Sequence, residues 1–79
     1  MSMDIQLNNV QDVVLFVAQC NEYVENIDYK FDHYIVDAKS LMGVISAGFG
    51  RKCNVSINTD NSESLDRFMK DMKVWRDNF

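Results

Sequence analysis

Apolar residues in this chain recur with two different periods, and the order in which those periods follow one another limits the fold more than any other feature. Residues 3–7, "MDIQL", alternate apolar with polar and read as a short strand. Asn8-Asn9 then supplies a helix N-cap with Asp12 three places beyond Asn9, and Val10, Val13, Val14, Val17 and Cys20 or Asn21 fall at helical spacing, predicting a helix from about residue 10 to 22. Ile27, Tyr29 and Phe31 alternate again, and Tyr34 and Val36 resume the alternation, which predicts a hairpin turning near Asp32-His33. Ser40 stands where an N-cap would, before a short helix through about Ala47. Cys53, Val55 and Ile57 share one face of a further strand. Asp60 and Glu63 form a capping-box-like pair ahead of a last helix lined by Leu65, Phe68, Met69, Met72 and Trp75. Strand, helix, strand, strand, helix, strand, helix is an α+β order, in which an antiparallel sheet carries its helices on one face in two layers.

Length makes efficient packing a condition of stability. At 79 residues, 1–79 is expected to form a single domain, near the size at which one hydrophobic core contributes only a few kcal/mol. No run approaches the roughly 20 apolar residues of a membrane span, and "MSMDIQLNNV" lacks a basic region followed by an apolar stretch, so a cytoplasmic protein with no membrane partner is expected. Two distant cysteines, Cys20 and Cys53, and one histidine, His33, do not make a zinc cluster; reduced, partly buried thiols and no metal or cofactor are expected.

Charge is distributed unevenly. Residues 1–37 hold seven acids against Lys30 alone, the remainder seven bases and five acids, and the net charge is −4. No basic face with interleaved aromatics appears, which argues against direct nucleic-acid binding. The acidic half is either a solvated surface or a means of steering a basic partner.

All three glycines, Gly43, Gly48 and Gly50, lie in "KSLMGVISAGFG". Glycine weakens a helix by up to about 1 kcal/mol but allows sharp turns. Two such turns around a short helix would present Leu41, Met42, Ile45 and Phe49 at or near the surface as an adaptable apolar patch. Some of these side chains must instead cover the sheet, and Val44 and Ile45 are the first candidates to face inward.

The same segment resembles the HPr family, the phosphocarriers of the bacterial sugar phosphotransferase system. Lys39-Ser40-Leu41-Met42-Gly43-Val44, then Ser46-Ala47-Gly48 and Gly50, are similar to the residues around that family's regulatory serine and short second helix, and a weaker ungapped similarity covers about residues 7 to 72. The resemblance implies a βαββαβα open-faced sandwich with an antiparallel sheet in the order 1-4-2-3. It also implies a phosphoryl-carrying histidine at the N-terminus of the first helix, closely followed by an arginine and a proline. The matching positions here are Asn9, Gln11 and Asp12. An asparagine amide is not a nucleophile at neutral pH, glutamine lacks the charge-assisted contacts of arginine, and Asp12 adds negative charge where a dianionic phosphate would sit.

Ser40 matches the serine that a dedicated kinase phosphorylates in many HPr proteins. Paralogues of the Crh type also lack the carrier histidine, and their serine-phosphorylated form binds a transcriptional repressor of sugar catabolism. The leading expectation is therefore no enzyme activity: an HPr-like regulatory module that binds other proteins through Leu41, Met42, Ile45 and Phe49 and is controlled at Ser40, where a cap alone is worth about 1 kcal/mol. Its partners would be an HPr kinase, a transcriptional regulator or phosphotransferase-system components. The alternatives are a phosphocarrier using an unexpected acceptor, for which His33 and Cys20 are the conceivable nucleophiles, and a diverged HPr-fold domain with unrelated partners.

Overall fold

The computed structural model describes residues 1–78. Strand β1 (Ser2–Gln6) leads into helix α1 (Val10–Cys20), the hairpin β2 (Ile27–Phe31) and β3 (Tyr34–Asp37) follows, and α2 (Leu41–Ala47), β4 (Lys52–Ile57) and α3 (Ser62–Arg76) complete the order. The sheet runs β1-β4-β2-β3 with every neighbouring pair antiparallel. This is the α+β architecture that the order of elements predicts, with the strand order that the resemblance implies.

Alternation decides which face of the sheet is covered. Ile5, Ile27, Tyr29, Phe31, Cys53, Val55 and Ile57 are buried, while Asp4, Asp28, Lys30 and Lys52 between them lie on the open face. Phe16 of α1 is the packing centre of the core. Its ring meets Trp75 of α3 edge-on at 5.6 Å and Tyr29 of β2 at 5.8 Å. Such pairs contribute roughly 1 kcal/mol beyond the area they bury.

Two helix faces depart from the sequence reading. In α1 the buried set is Val13, Phe16, Val17 and Cys20, at i, i+3, i+4 and i+7, so Val10 and Val14 turn outward. In α3 the buried set is Phe68, Met72 and Trp75 with Leu65 half-buried, and Met69 is exposed. The cap of α3 also differs from the Asp60–Glu63 expectation. Asn61 is the N-cap, its Oδ1 accepting from Ser64 N at 3.0 Å. One residue later serves equally well because Thr59 Oγ1 accepts from Asn61 N, and Ser64 Oγ donates to Glu25, tying the helix start to the loop before β2.

The β2–β3 turn lies at Asp32-His33, as the break in alternation predicts, with Asp32 at φ 55°. Arg51, just before β4, anchors it by an ion pair to Asp32 at 2.7 Å and lies over the Phe31 ring.

Candidate functional site

The first helix begins in a closed arrangement of its own side chains. Asn9 is extended at φ −154°, and its Oδ1 accepts from Asp12 N at 2.8 Å. Asp12 Oδ2 reaches back to accept from Asn8 N at 2.9 Å, and Gln6 Nε2 donates to Asn8 Oδ1 at 2.8 Å. One free N–H of the helix start is thus satisfied by a neutral amide, and a carboxylate already sits against the positive end of the helix dipole. Gln11 is exposed on the same turn.

No other nucleophile joins that turn. His33 is exposed in the β2–β3 turn at the same end of the sheet, between two and three strand spacings from β1, about 12 Å at the usual interstrand separation. Cys20 and Cys53 are buried free thiols, as expected. Burial pushes the Cys20 thiol up to about 12, against a smaller opposing pull from Lys39, and pushes Cys53 up to about 11. Both are neutral at physiological pH and poor nucleophiles. Among the described residues no cluster of His, Cys, Asp and Glu could hold a metal, and no helix is long and apolar enough to cross a membrane.

The second helix is arranged differently. Ser40 caps it, with Oγ accepting from Gly43 N at 3.0 Å, and is half-buried. Val44 and Ala47 form its buried side, so Val44 faces inward as expected. Ile45 does not. One residue further along a helix is a rotation of about 100°, which carries Ile45 off the core-facing line. Its exposure is 36 %, beside 39 % for Leu41 and 71 % for Met42. Phe49 is half-buried against the core rather than free, so three of the four proposed patch residues project outward and the fourth supports them.

The ends of α2 are tied down at both sides. Gly48 sits at φ 119° and Gly50 at φ 97°; Tyr29 Oη donates to Gly48 O at 2.7 Å, and Gly50 N donates to Leu7 O at 2.8 Å, next to the start of α1. At the other end Asn21 Nδ2 donates to Lys39 O, and Lys39 Nζ donates to Tyr23 O at 2.6 Å. The two helices therefore run antiparallel. Asn21 shares a stripe with Val10 and Val14 at i−11 and i−7, which places both valines beside α2. They are 54 % and 45 % exposed and extend the patch. Sequence reading missed them because "VVLFV" offers apolar residues on every side; counting Phe16 with Val13, Val17 and Cys20 would have fixed the inward face.

Neither a protein-family model nor a curated protein matches the chain. Solved structures do. The chain is similar over its full length to HPr-C-His from Thermoanaerobacter tengcongensis, with 96 % of that chain covered, a TM-score of 0.72 and 21 % identity. It is also similar to a phosphocarrier protein HPr from Bacillus anthracis over 91 % of this chain and 95 % of that one, with a TM-score of 0.68 and 25 % identity. The chain has the HPr fold. In HPr-fold terms, Asn9 and Asp12 close the start of the first helix, and Ser40 with Leu41, Met42 and Ile45 forms the exposed side of the second.

Proposed function

We propose that the chain is a member of the HPr family that carries no phosphoryl group on a histidine and acts as a cytoplasmic, non-enzymatic module binding other proteins through α2. The observation that carries this reading is the contrast between a first-helix start filled by Asn9 and Asp12 and a second helix that offers Leu41, Met42 and Ile45 to solvent. Asn9 stands where the resemblance puts the carrier histidine and Gln11 where it puts the arginine. A phosphoryl group arriving there would meet a carboxylate already committed to Asn8 N.

Ser40 is the proposed control point. Its Oγ faces Gly43 N, so a phosphate on it would lie against the first turn of α2 and reinforce the cap rather than melt the helix. Partners consistent with the resemblance are an HPr kinase, a transcriptional regulator and components of the phosphotransferase system, in a setting of sugar uptake or carbon regulation.

Two incubations test this. With an HPr kinase and ATP, mass spectrometry is expected to locate one phosphate at Ser40; modification elsewhere, or none, removes the switch. With enzyme I and phosphoenolpyruvate, no acid-labile phosphate is expected. Its appearance on His33 would restore a carrier role.

A further inference from the structure

We propose that Met1, Met3 and Met69 form a three-thioether site for a soft monovalent cation of the Cu(I) class, where α3 crosses the β1 edge of the sheet. α3 packs on β1 and α2 on β3, at opposite edges, so the site stands apart from the docking role proposed above.

The backbone brings these three side chains to one place. Met1 O accepts from Ile57 N at 3.0 Å and Met3 lies opposite Val55, so the alternation that sends Ile5 under the helices sends Met3 and Met1 the same way. In α3 the inward line is Phe68, Met72 and Trp75, and Met69, one residue past Phe68, is turned about 100° from it. That rotation sets Met69 towards the edge strand. Met1, Met3 and Met69 line one open cavity of about 810 Å³, together with Asp4, Arg76 and Asp77. Three of the five methionines in the chain therefore border a single cavity.

The donors available there are soft. Asp4 Oδ1 accepts from Asn54 Nδ2 at 3.1 Å and Asp77 Oδ2 accepts from Lys73 Nζ at 2.7 Å, so both carboxylates are engaged, and a guanidinium has no lone pair to give. Cys53, opposite Ile5, is buried with its Sγ on Ile5 O. What remains is thioether sulfur, a polarizable and uncharged donor that suits Cu(I) and serves magnesium and calcium poorly. It also lacks the negative charge that thiolates bring to zinc.

Reach is sufficient. Met1 and Met3 leave the strand about 6.7 Å apart, twice the rise per residue. Three sulfurs around one cation at bonds of roughly 2.3 Å stand about 4 Å from one another, and the rotatable bonds of each methionine can close the difference. Core packing does not hold them elsewhere, since Met1 and Met69 are exposed and Met3 is half-buried.

Titration of the full chain, labelled with carbon-13 at the methionine methyls, with silver nitrate in chloride-free buffer tests the proposal. Ag(I) stands in for Cu(I) without its redox chemistry, and each thioether reports separately. The first equivalent is expected to shift the methyl signals of Met1, Met3 and Met69 together, to saturate at one ion per chain, and to leave Met42, on α2, unmoved. A thioether has no proton to release, so affinity should be the same at about pH 5.5 and about pH 7, where a site of imidazole or thiol would weaken as pH falls. Met3→Leu and Met69→Leu keep the apolar volume and should each weaken Ag(I) binding by at least the roughly tenfold that disturbing a metal ligand's surroundings costs. A chain beginning at Ser2 should weaken to the same degree, and Met42→Leu should bind as the wild type does.

Any of four results would overturn the proposal. Met42 shifting in step with the other three would mean that isolated thioethers suffice. Silver taken first by Cys20 or Cys53 would mean that burial does not protect the thiols and that the methionines are the weaker ligands. Binding as tight in Met69→Leu as in the wild type, or displacement of silver by an equal amount of zinc, would leave the three methionines as a cover over the sheet edge and nothing more.

Discussion

The starts of α1 and α2 use the same local device to opposite effect. Each has an extended cap residue whose side-chain oxygen accepts from the N–H three residues on, Asn9 from Asp12 and Ser40 from Gly43. At α1 the third residue is a carboxylate that folds back on Asn8 N, and the turn is sealed in polar contacts. At α2 the third residue is a glycine, nothing folds back, and the two residues between are Leu41 and Met42. Capping therefore does not distinguish the two helix starts; the side chains of the first turn do, with Asp12 folded back at α1 and Leu41 and Met42 exposed at α2.

The largest effect should come from the turn that keeps α2 in place. A Cβ on Gly48 would lie 2.7 Å from Cε1 of Phe31, at a φ of 119° that side chains rarely adopt. Gly48→Ala is expected to cost about 3 kcal/mol, combining backbone strain with a ring that must move. Gly50→Ala, at φ 97° with open space around it, should cost about 1 kcal/mol through backbone strain alone. Urea midpoints of the two variants separate the contributions. Equal losses would mean that Phe31 yields freely and does not anchor α2.

Alkali should act next, and at the junction of the two helices rather than at their starts. Cys20 has its pKa raised above its ordinary value of 9.0 to about 12 by burial, and Cys53 to about 11 by the same cause. A raised folded-state pKa means that the unfolded chain loses its proton first. The stabilisation is fully present below about pH 9 and is lost as pH rises towards 11 and 12. Tyr23 and Tyr29 are also raised by burial, with Asp71 adding to the effect at Tyr23, so they steepen the decline above pH 10. Thermal unfolding from pH 8 upward should show falling Tm, and Cys20→Ala should fall less steeply from a lower starting value. Because Cys20 lies beside the Asn21–Lys39 contact, hydrogen exchange should accelerate there before it does at Asn9.

Much of this architecture was legible because several segments leave one choice of face. In "IDYKF" only Ile27, Tyr29 and Phe31 can cover the sheet, and Asp32-His33 breaks the alternation, so hairpin and turn follow directly. Ser40 and Gly48 bound α2 equally plainly. The face of α1 was not legible in the same way, since apolar residues from Val13 to Val17 satisfy several inward stripes and tertiary packing around Phe16 selects one. Ile45 posed the same problem beside Val44. The closed start of α1 was half visible: Asn9 as a cap could be read from spacing, whereas Asp12 folding back to Asn8 N depends on how β1 delivers the chain. The apolar patch was visible through Leu41 and Met42 but incomplete without Val10 and Val14.

Removing the caps sharpens the comparison on a smaller scale. Asn9→Ala and Ser40→Ala are each expected to lose about 1 kcal/mol in chemical unfolding. Equal stability losses should have unequal consequences: Asn9→Ala leaves association through α2 unchanged, while Ser40→Ala removes the proposed phosphorylation and loosens the turn that presents Met42. A loss of association in Asn9→Ala would join the two helix starts into one site.

The smallest effect on stability is expected from Met42→Asp, and its smallness is what makes it informative. Met42 is 71 % exposed, so the folded chain loses little buried surface when it is replaced. As the second residue of α2, an aspartate gains from the positive end of the helix dipole and offsets part of its lower helix propensity. Thermal and urea unfolding should therefore agree with the wild type to within about 0.5 kcal/mol. Docking should be lost at the same time, because a carboxylate at the centre of an apolar contact must be desolvated without a partner. A variant that loses more than about 1 kcal/mol of stability, a core-type penalty, would instead show that Met42 covers the fold and that α2 has no free apolar face.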